Sequence, residues 1–221
     1  MDTLAVDFAA EREAMVERQL RRRGIGDPRI LDAFLTVPRE AFVDPQYAHL
    51  AYADHPLPIA AGQTISQPYI VALMIEAAAI RPRDTVLEVG SGSGYAAAVI
   101  SRIAAKVIGI ERQHDLVDLA RERLARLGHA NVEIVEGDGT TGWPPGAPYD
   151  AILAAASGSH VPQPLIDQLA PAGSLVMPIG QPGDVQRLVK LTKGRDGRVE
   201  RSDLGAVRFV PLIGAEGWDH G

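Results

Sequence analysis

Val86-Leu87-Glu88-Val89-Gly90-Ser91-Gly92-Ser93-Gly94-Tyr95 decides how this chain is read. Apolar residues lead to an acid, and glycine then falls at every second position. An alanine-rich run, Tyr95 to Ala105, follows. The pattern predicts a strand, a tight turn with bare backbone, and a helix. Glycine lets such a turn adopt φ > 0 and lets a ligand approach the main chain. The dinucleotide fingerprint G-x-G-x-x-G would place glycine where Tyr95 stands, which disfavours an NAD-dependent oxidoreductase.

Working outward, strands and helices alternate. Thr85–Val89, Val107–Ile110, Val132–Val135 and Asp150–Ala155 read as strands. Helices fit Tyr95–Ala105, Asp115–Leu127 (closed by Gly128) and Pro164–Leu169. Such alternation argues a parallel, doubly wound α/β sheet with helices on both faces. The C-terminal third differs: Ser174–Pro178, Arg187–Thr192, Val199–Leu204 and Val207–Val210 read as strands, with Asp196-Gly197 as a hairpin turn. They predict an antiparallel edge on the parallel sheet. Toward the N-terminus, Phe8–Arg23 reads as a helix ended by Gly24, and Asp27-Pro28 opens a second helix to Leu35. Val37–Pro68 reads as a long loop, the kind that usually carries function. A helix then runs from Pro68 to about Ile80. No linker divides the chain, so one domain over 1–221 is expected. It comprises a helical, lid and substrate segment (1–80), an α/β core (81–180) and C-terminal strands (181–221).

The 221 residues are 46% hydrophobic, enough for one sizeable core. A net charge of −6 makes nucleic acid a poor expected partner. Six scattered histidines and no cysteine argue against a metal site, and the lack of cysteine rules out thiol chemistry and disulfides. The run Ile70–Ile80 is interrupted by Glu76 and too short for a bilayer. Met1–Glu13 lacks the pattern of a secretory signal. A cytoplasmic monomer is expected, away from membranes.

Open α/β sheets bind ligands at the carboxyl ends of their strands. Three groups fall there: the glycine loop with Glu88, then Glu111, then Asp138 in Gly137-Asp138-Gly139. The acid-x-G-x-G-x-G pattern resembles motif I of S-adenosylmethionine (AdoMet) methyltransferases. In that setting Gly90, Ser91 and Gly92 surround the methionine end. Glu111 can accept both ribose hydroxyl hydrogens, and the Asp138 side chain or the Gly139 N–H can meet adenine. Each feature also has a plain structural reading as a turn or a helix cap. So do Thr64 and Ser66 before the helix at Pro68, where Ser66 or Gln67 could simply cap it.

Longer segments carry a narrower resemblance. Val37-Pro38-Arg39-Glu40-Ala41-Phe42-Val43, Leu57-Pro58-Ile59, Gly62-Gln63-Thr64-Ile65-Ser66-Gln67-Pro68, Ala147-Pro148-Tyr149-Asp150 and Val207-Arg208-Phe209-Val210-Pro211-Leu212 resemble the protein-L-isoaspartate O-methyltransferases over nearly the whole length. That resemblance implies a Rossmann-like AdoMet-dependent fold with a strand order that departs near the C-terminus. It implies repair of damaged proteins and peptides by methylation of the isoaspartyl α-carboxylate, giving an ester that collapses to a succinimide. It assigns Ser66 as the active-site residue. Thr64, Ile65 and Ser66 line the cofactor, and Pro58, Ile59, Thr64, Val210 and Leu212 line the substrate, the Val207–Leu212 strand holding the peptide by its backbone. After Ala155-Ala156 the chain departs from its relatives, with Ser157-Gly158-Ser159-His160 in place of a proline-bearing turn. The alternatives are a methyltransferase of a small molecule or RNA, and a non-catalytic AdoMet-binding sensor.

Overall fold

The computed structural model describes residues 6–219. Its element order is α1 (Phe8–Met15), α2 (Pro28–Thr36), β1 (Leu57–Pro58), β2 (Thr64–Ile65), α3 (Pro68–Ala78), β3 (Thr85–Val89), α4 (Tyr95–Ser101), β4 (Lys106–Glu111), α5 (His114–Arg126), β5 (Val132–Glu136), β6 (Tyr149–Ala154), α6 (Gln163–Asp167), β7 (Leu169–Ile179), β8 (Gln186–Lys193) and β9 (Val199–Val207). A seven-stranded sheet runs β5-β4-β3-β6-β7-β8-β9. The pairings from β5 to β7 are parallel, and β7-β8-β9 are antiparallel. The α/β class and the antiparallel edge are thus as expected. Strand order reverses between β3 and β6, which makes their carboxyl ends the place for a ligand.

Alternation along the strands decides what faces what. Val86, Val107 and Ala151 pack with α1 to α4 in one apolar layer. Leu87, Val89, Ile108 and Ile152 pack with α6 in the other. Both faces are covered, so the strands read as nearly continuous apolar runs. Glu88 follows the Val86 face and is buried under α3 and α4.

Caps at α2 behave as read: the Asp27 carboxylate accepts the Arg29 N–H at 2.9 Å, and Gly24 closes the preceding helix at φ 99°. Three expectations need correction. Helix α4 ends at Ser101, because the Asn131 side chain donates to the carbonyls of Ser101 (2.9 Å) and Ala104 (3.2 Å). Residues 37–68 are more ordered than a loop. They contain 3₁₀ turns at Arg39–Phe42 and Pro45–Leu50, and β1 and β2 pair antiparallel across Ala60–Gly62. Finally, Val207–Val210 is no separate strand. β9 runs through to Val207, and the chain then leaves the sheet because Gln186 captures the Phe209 N–H (2.7 Å) and carbonyl (3.3 Å). The extended segment beyond pairs with a turn: Ser157 N–H donates to the Val210 carbonyl and Leu212 N–H to the Ser157 carbonyl, both at 2.8 Å.

Gly109 in β4 sits under the glycine loop. A Cβ there would collide with Ser91 Oγ and Ile134 Cδ1. Gly109→Ala should therefore destabilise the fold by about 1–3 kcal/mol through overpacking. Thermal unfolding checks this; an unchanged midpoint would show that the loop shifts freely.

Candidate active site

Three adjoining cavities open at the β3–β6 switch point. The first lies under the glycine loop and is lined by Thr64, Ser66, Met74, Glu88, Gly90 and Tyr95, among others. Beside it lies a second, walled by Glu111, Arg112, Gln113, Gly139, Ala156 and the Val210–Ile213 segment. The third is an outer groove of about 320 Å³ between Ser66, Gln67 and Ile70 on one side and Arg208 to Pro211 on the other. Thr64 and Ala155 line all three, so the cavities form one cleft.

The glycine loop spends several of its backbone N–H groups on its own support. Gly90 and Ser91 N–H groups donate to the Ile110 carbonyl, at 2.9 and 3.3 Å, and Gly94 N–H to the Ser91 carbonyl. Gly92 N–H donates to Glu111 Oε2 at 3.0 Å. These four N–H groups hold the loop itself together. The glycines give closeness: Gly90 takes φ 82°, and no side chain stands between loop and cleft there.

Glu111 is buried and accepts three backbone N–H groups. Oε1 takes Arg112 (2.8 Å) and Gln113 (3.0 Å), and Oε2 takes Gly92. A carboxylate offers about four lone-pair sites. Three are taken by backbone N–H groups, which leaves room on Oε2 for a ligand hydroxyl. Glu88 is fully buried and its Oε2 has no partner among the described residues. Burial pushes its carboxyl up to about 8, and the neighbouring Glu111 charge adds to the rise. Near neutral pH it is largely protonated.

Ser66 occupies the junction of the first and third cavities. The cap of α3 is Gln67, with no side-chain cap bond, so the Ser66 hydroxyl is not used in starting the helix. Instead the Ser66 backbone is held. Arg39 is wholly buried, donating Nε to the Ala51 carbonyl (2.7 Å) and Nη2 to the Ser66 carbonyl (2.8 Å). Its guanidinium lies 4.7 Å from the Tyr95 ring centroid. Burial lowers the Arg39 pKa, against the opposing pull of Tyr95.

Other expected residues divide. Ile65 lines the first cavity, Leu212 the second, and Val210 the second and third. Pro58 and Ile59 line none of the three; Ile59 lies behind the glycine loop, its Cδ1 3.2 Å from where a Cβ on Gly92 would sit. Asp138 does not line the cleft either, although Gly139 does. The Asp138 carboxylate accepts Thr140 N–H (2.9 Å), Thr140 Oγ1 (2.7 Å) and Ala215 N–H (2.7 Å), fastening the C-terminal segment. Burial works against its ionised form, but these hydrogen bonds outweigh it and lower its pKa. Ala155, Arg39, Arg112 and Arg208 were not singled out individually by sequence reasoning. Ala155 had a signal, because it directly follows the strand beside the glycine turn.

The doubly wound sheet, the glycine turn at its switch point and Glu111 on the next strand define an AdoMet-dependent methyltransferase fold. Residues 10–217 match the family model "Protein-L-isoaspartate(D-aspartate) O-methyltransferase". The chain belongs to that family. It is 58% identical over 208 residues to the protein-L-isoaspartate O-methyltransferase of Methanoculleus marisnigri, covering 94% of both chains. It is 56% identical over 214 residues to protein-L-isoaspartate O-methyltransferase 1 of Rhodopseudomonas palustris, covering 97% of this chain and 87% of that one. A Plasmodium falciparum structure, described as a protein-L-isoaspartate O-methyltransferase in complex with S-adenosyl-L-homocysteine, superposes with a TM-score of 0.77. It is 30% identical, covering 91% of this chain and 98% of that one.

Proposed function

We propose that this chain transfers a methyl group from AdoMet to the α-carboxylate of L-isoaspartyl residues in damaged proteins and peptides. The ester product then closes to a succinimide as the adjacent backbone nitrogen attacks the ester carbonyl and methanol leaves, and hydrolysis of the ring returns some normal aspartate. One observation carries the reading to this site. A serine hydroxyl left free of capping stands where the cavity under the glycine loop meets an outer groove.

The residues present fit the cofactor. The unpartnered Glu88 oxygen suits the cationic methionine end, the open lone pair of Glu111 a ribose hydroxyl, and the backbone at Gly139 the adenine edge. AdoMet supplies an electrophilic methyl group on a sulfonium sulfur. The substrate α-carboxyl has an ordinary pKa of roughly 3.3–3.7, so the nucleophile is already ionised at neutral pH and no side chain need deprotonate it. What the protein provides is placement. Arg39 fixes the Ser66 backbone, and the Ser66 hydroxyl donates a hydrogen bond that aims one carboxylate oxygen. Thr64, Val210 and Pro211 wall the groove and exclude water, which strengthens the attraction of carboxylate for sulfonium. Orientation of this kind can supply about 7–11 kcal/mol of the barrier.

The test is methyl transfer from labelled AdoMet to a short peptide made with isoaspartate and, separately, with normal L-aspartate. Base-labile label only in the isoaspartyl peptide is the expected result. Binding of AdoMet with transfer to neither peptide would point to another substrate or to a sensor.

A further inference from the structure

We infer that Arg208 makes the outer groove selective for an acidic residue flanking the isoaspartyl unit of the substrate. The inference rests on the proposed methyl transfer and concerns which damaged sites are served best. Arg208 is the one charged residue lining the groove, among neutral neighbours such as Ser66, Gln67 and Val210. Its side chain is exposed and has no hydrogen-bond or ion-pair partner among the described residues. Its backbone, in contrast, is anchored on both sides. Val207 is buried at the end of β9, and the Phe209 N–H and carbonyl are both taken by Gln186. A free guanidinium on a fixed stretch of main chain, facing a neutral groove, is a local site for a carboxylate on a chain whose net charge is −6.

Two carboxylates could meet it: the reacting one and a neighbour's. The cavity positions favour the neighbour. Arg208 lines only the outer groove, while Glu88, Gly90 and Gly92, which face the cofactor, line only the inner cavities. A cation paired with the reacting oxygen would also oppose the incoming sulfonium and lower the nucleophilicity of that oxygen. A side-chain carboxylate one residue away avoids both effects and gains the guanidinium.

The experiment compares isoaspartyl peptides that differ only in the adjacent residue (Glu, Gln or Lys), placed in turn on each side. Wild type should methylate the Glu peptide best on at least one side. The advantage over Gln should be about three- to fivefold, expressed in KM with kcat unchanged, as befits a solvent-exposed pair. It should shrink at 0.5 M salt, since the Debye length is then below about 8 Å. Arg208→Gln should bring the Glu and Gln peptides level, and Arg208→Glu should invert the preference toward Lys. An unchanged Glu-to-Gln ratio in Arg208→Gln, or no preference in wild type, overturns the inference and leaves the methyl transfer standing. Failure to methylate any isoaspartyl peptide overturns both.

Discussion

Ser66→Ala should lower kcat by roughly 10- to 100-fold, the value of one hydrogen bond to a charged group. AdoMet affinity and thermal stability should hardly change. Each part follows from what Ser66 does in the structure. Its hydroxyl caps nothing, so the fold loses no bond when it is removed. Its carbonyl is what Arg39 grips, and alanine keeps the carbonyl. Ser66 lines both the inner cavity and the outer groove, and the proposed transfer joins donor methyl and acceptor oxygen where the two meet. Loss should therefore appear in the chemical step rather than in binding. Single-turnover methylation with saturating AdoMet and peptide, beside calorimetry and a melting curve, separates these outcomes. An Ala variant with full kcat would end the positioning role. One with a fallen melting temperature would show that the hydroxyl supports the loop instead.

Much of the fold, and the turn that opens the cleft, could be read in the sequence because the signals are local. The glycine turn, Glu111 at the end of β4, and Asp27 before Pro28 each announce themselves within a few residues. What could not be read depends on partners far apart in the chain. Asn131 ends α4 from about thirty residues away. Gln186 turns the Phe209 backbone out of the sheet, so an apparent strand becomes an extended wall of the cleft. Asp138 looks like a ligand residue in Gly-Asp-Gly. That it also bolts down the C-terminal segment, through the Ala215 N–H that folds back onto it, is not legible locally. Arg39 lies within a recognisable segment, yet nothing local says that its guanidinium reaches Ser66, 27 residues on. Nor is it legible locally that the glycine-loop N–H groups at 90, 91, 92 and 94 serve the fold, a point set by the register of β4 beside the loop.

Glu88→Gln should stabilise the cofactor-free protein and weaken AdoMet binding at the same time. The Glu88 carboxyl is held at about 8 in the fold, against an ordinary value near 4.5, chiefly because burial penalises its charge. A carboxyl raised in this way favours folding most below its unfolded pKa, and that contribution is lost as pH rises through about 8. Above that pH the folded chain carries the full cost of a buried carboxylate whose Oε2 has no partner among the described residues, and glutamine removes it. The expected gain is about 2–4 kcal/mol at pH 8.5 and close to none at pH 4.5, read as a gap in melting temperature that opens with pH. The cofactor reverses the balance. A cation arriving beside Glu88 Oε2 compensates the charge and draws the carboxyl back toward ionisation. Binding to wild type near pH 7 should release up to about one proton, measured by calorimetry in buffers of different ionisation enthalpy. The Gln variant should release none from this position and bind AdoMet roughly tenfold or more weakly. Equal melting temperatures across the pH range would refute the buried charge. Equal affinities would remove Glu88 from the cofactor site. If both predicted effects appear, this position exchanges fold stability for cofactor binding, the compromise expected where a ligand, rather than the protein, completes a buried charge pair.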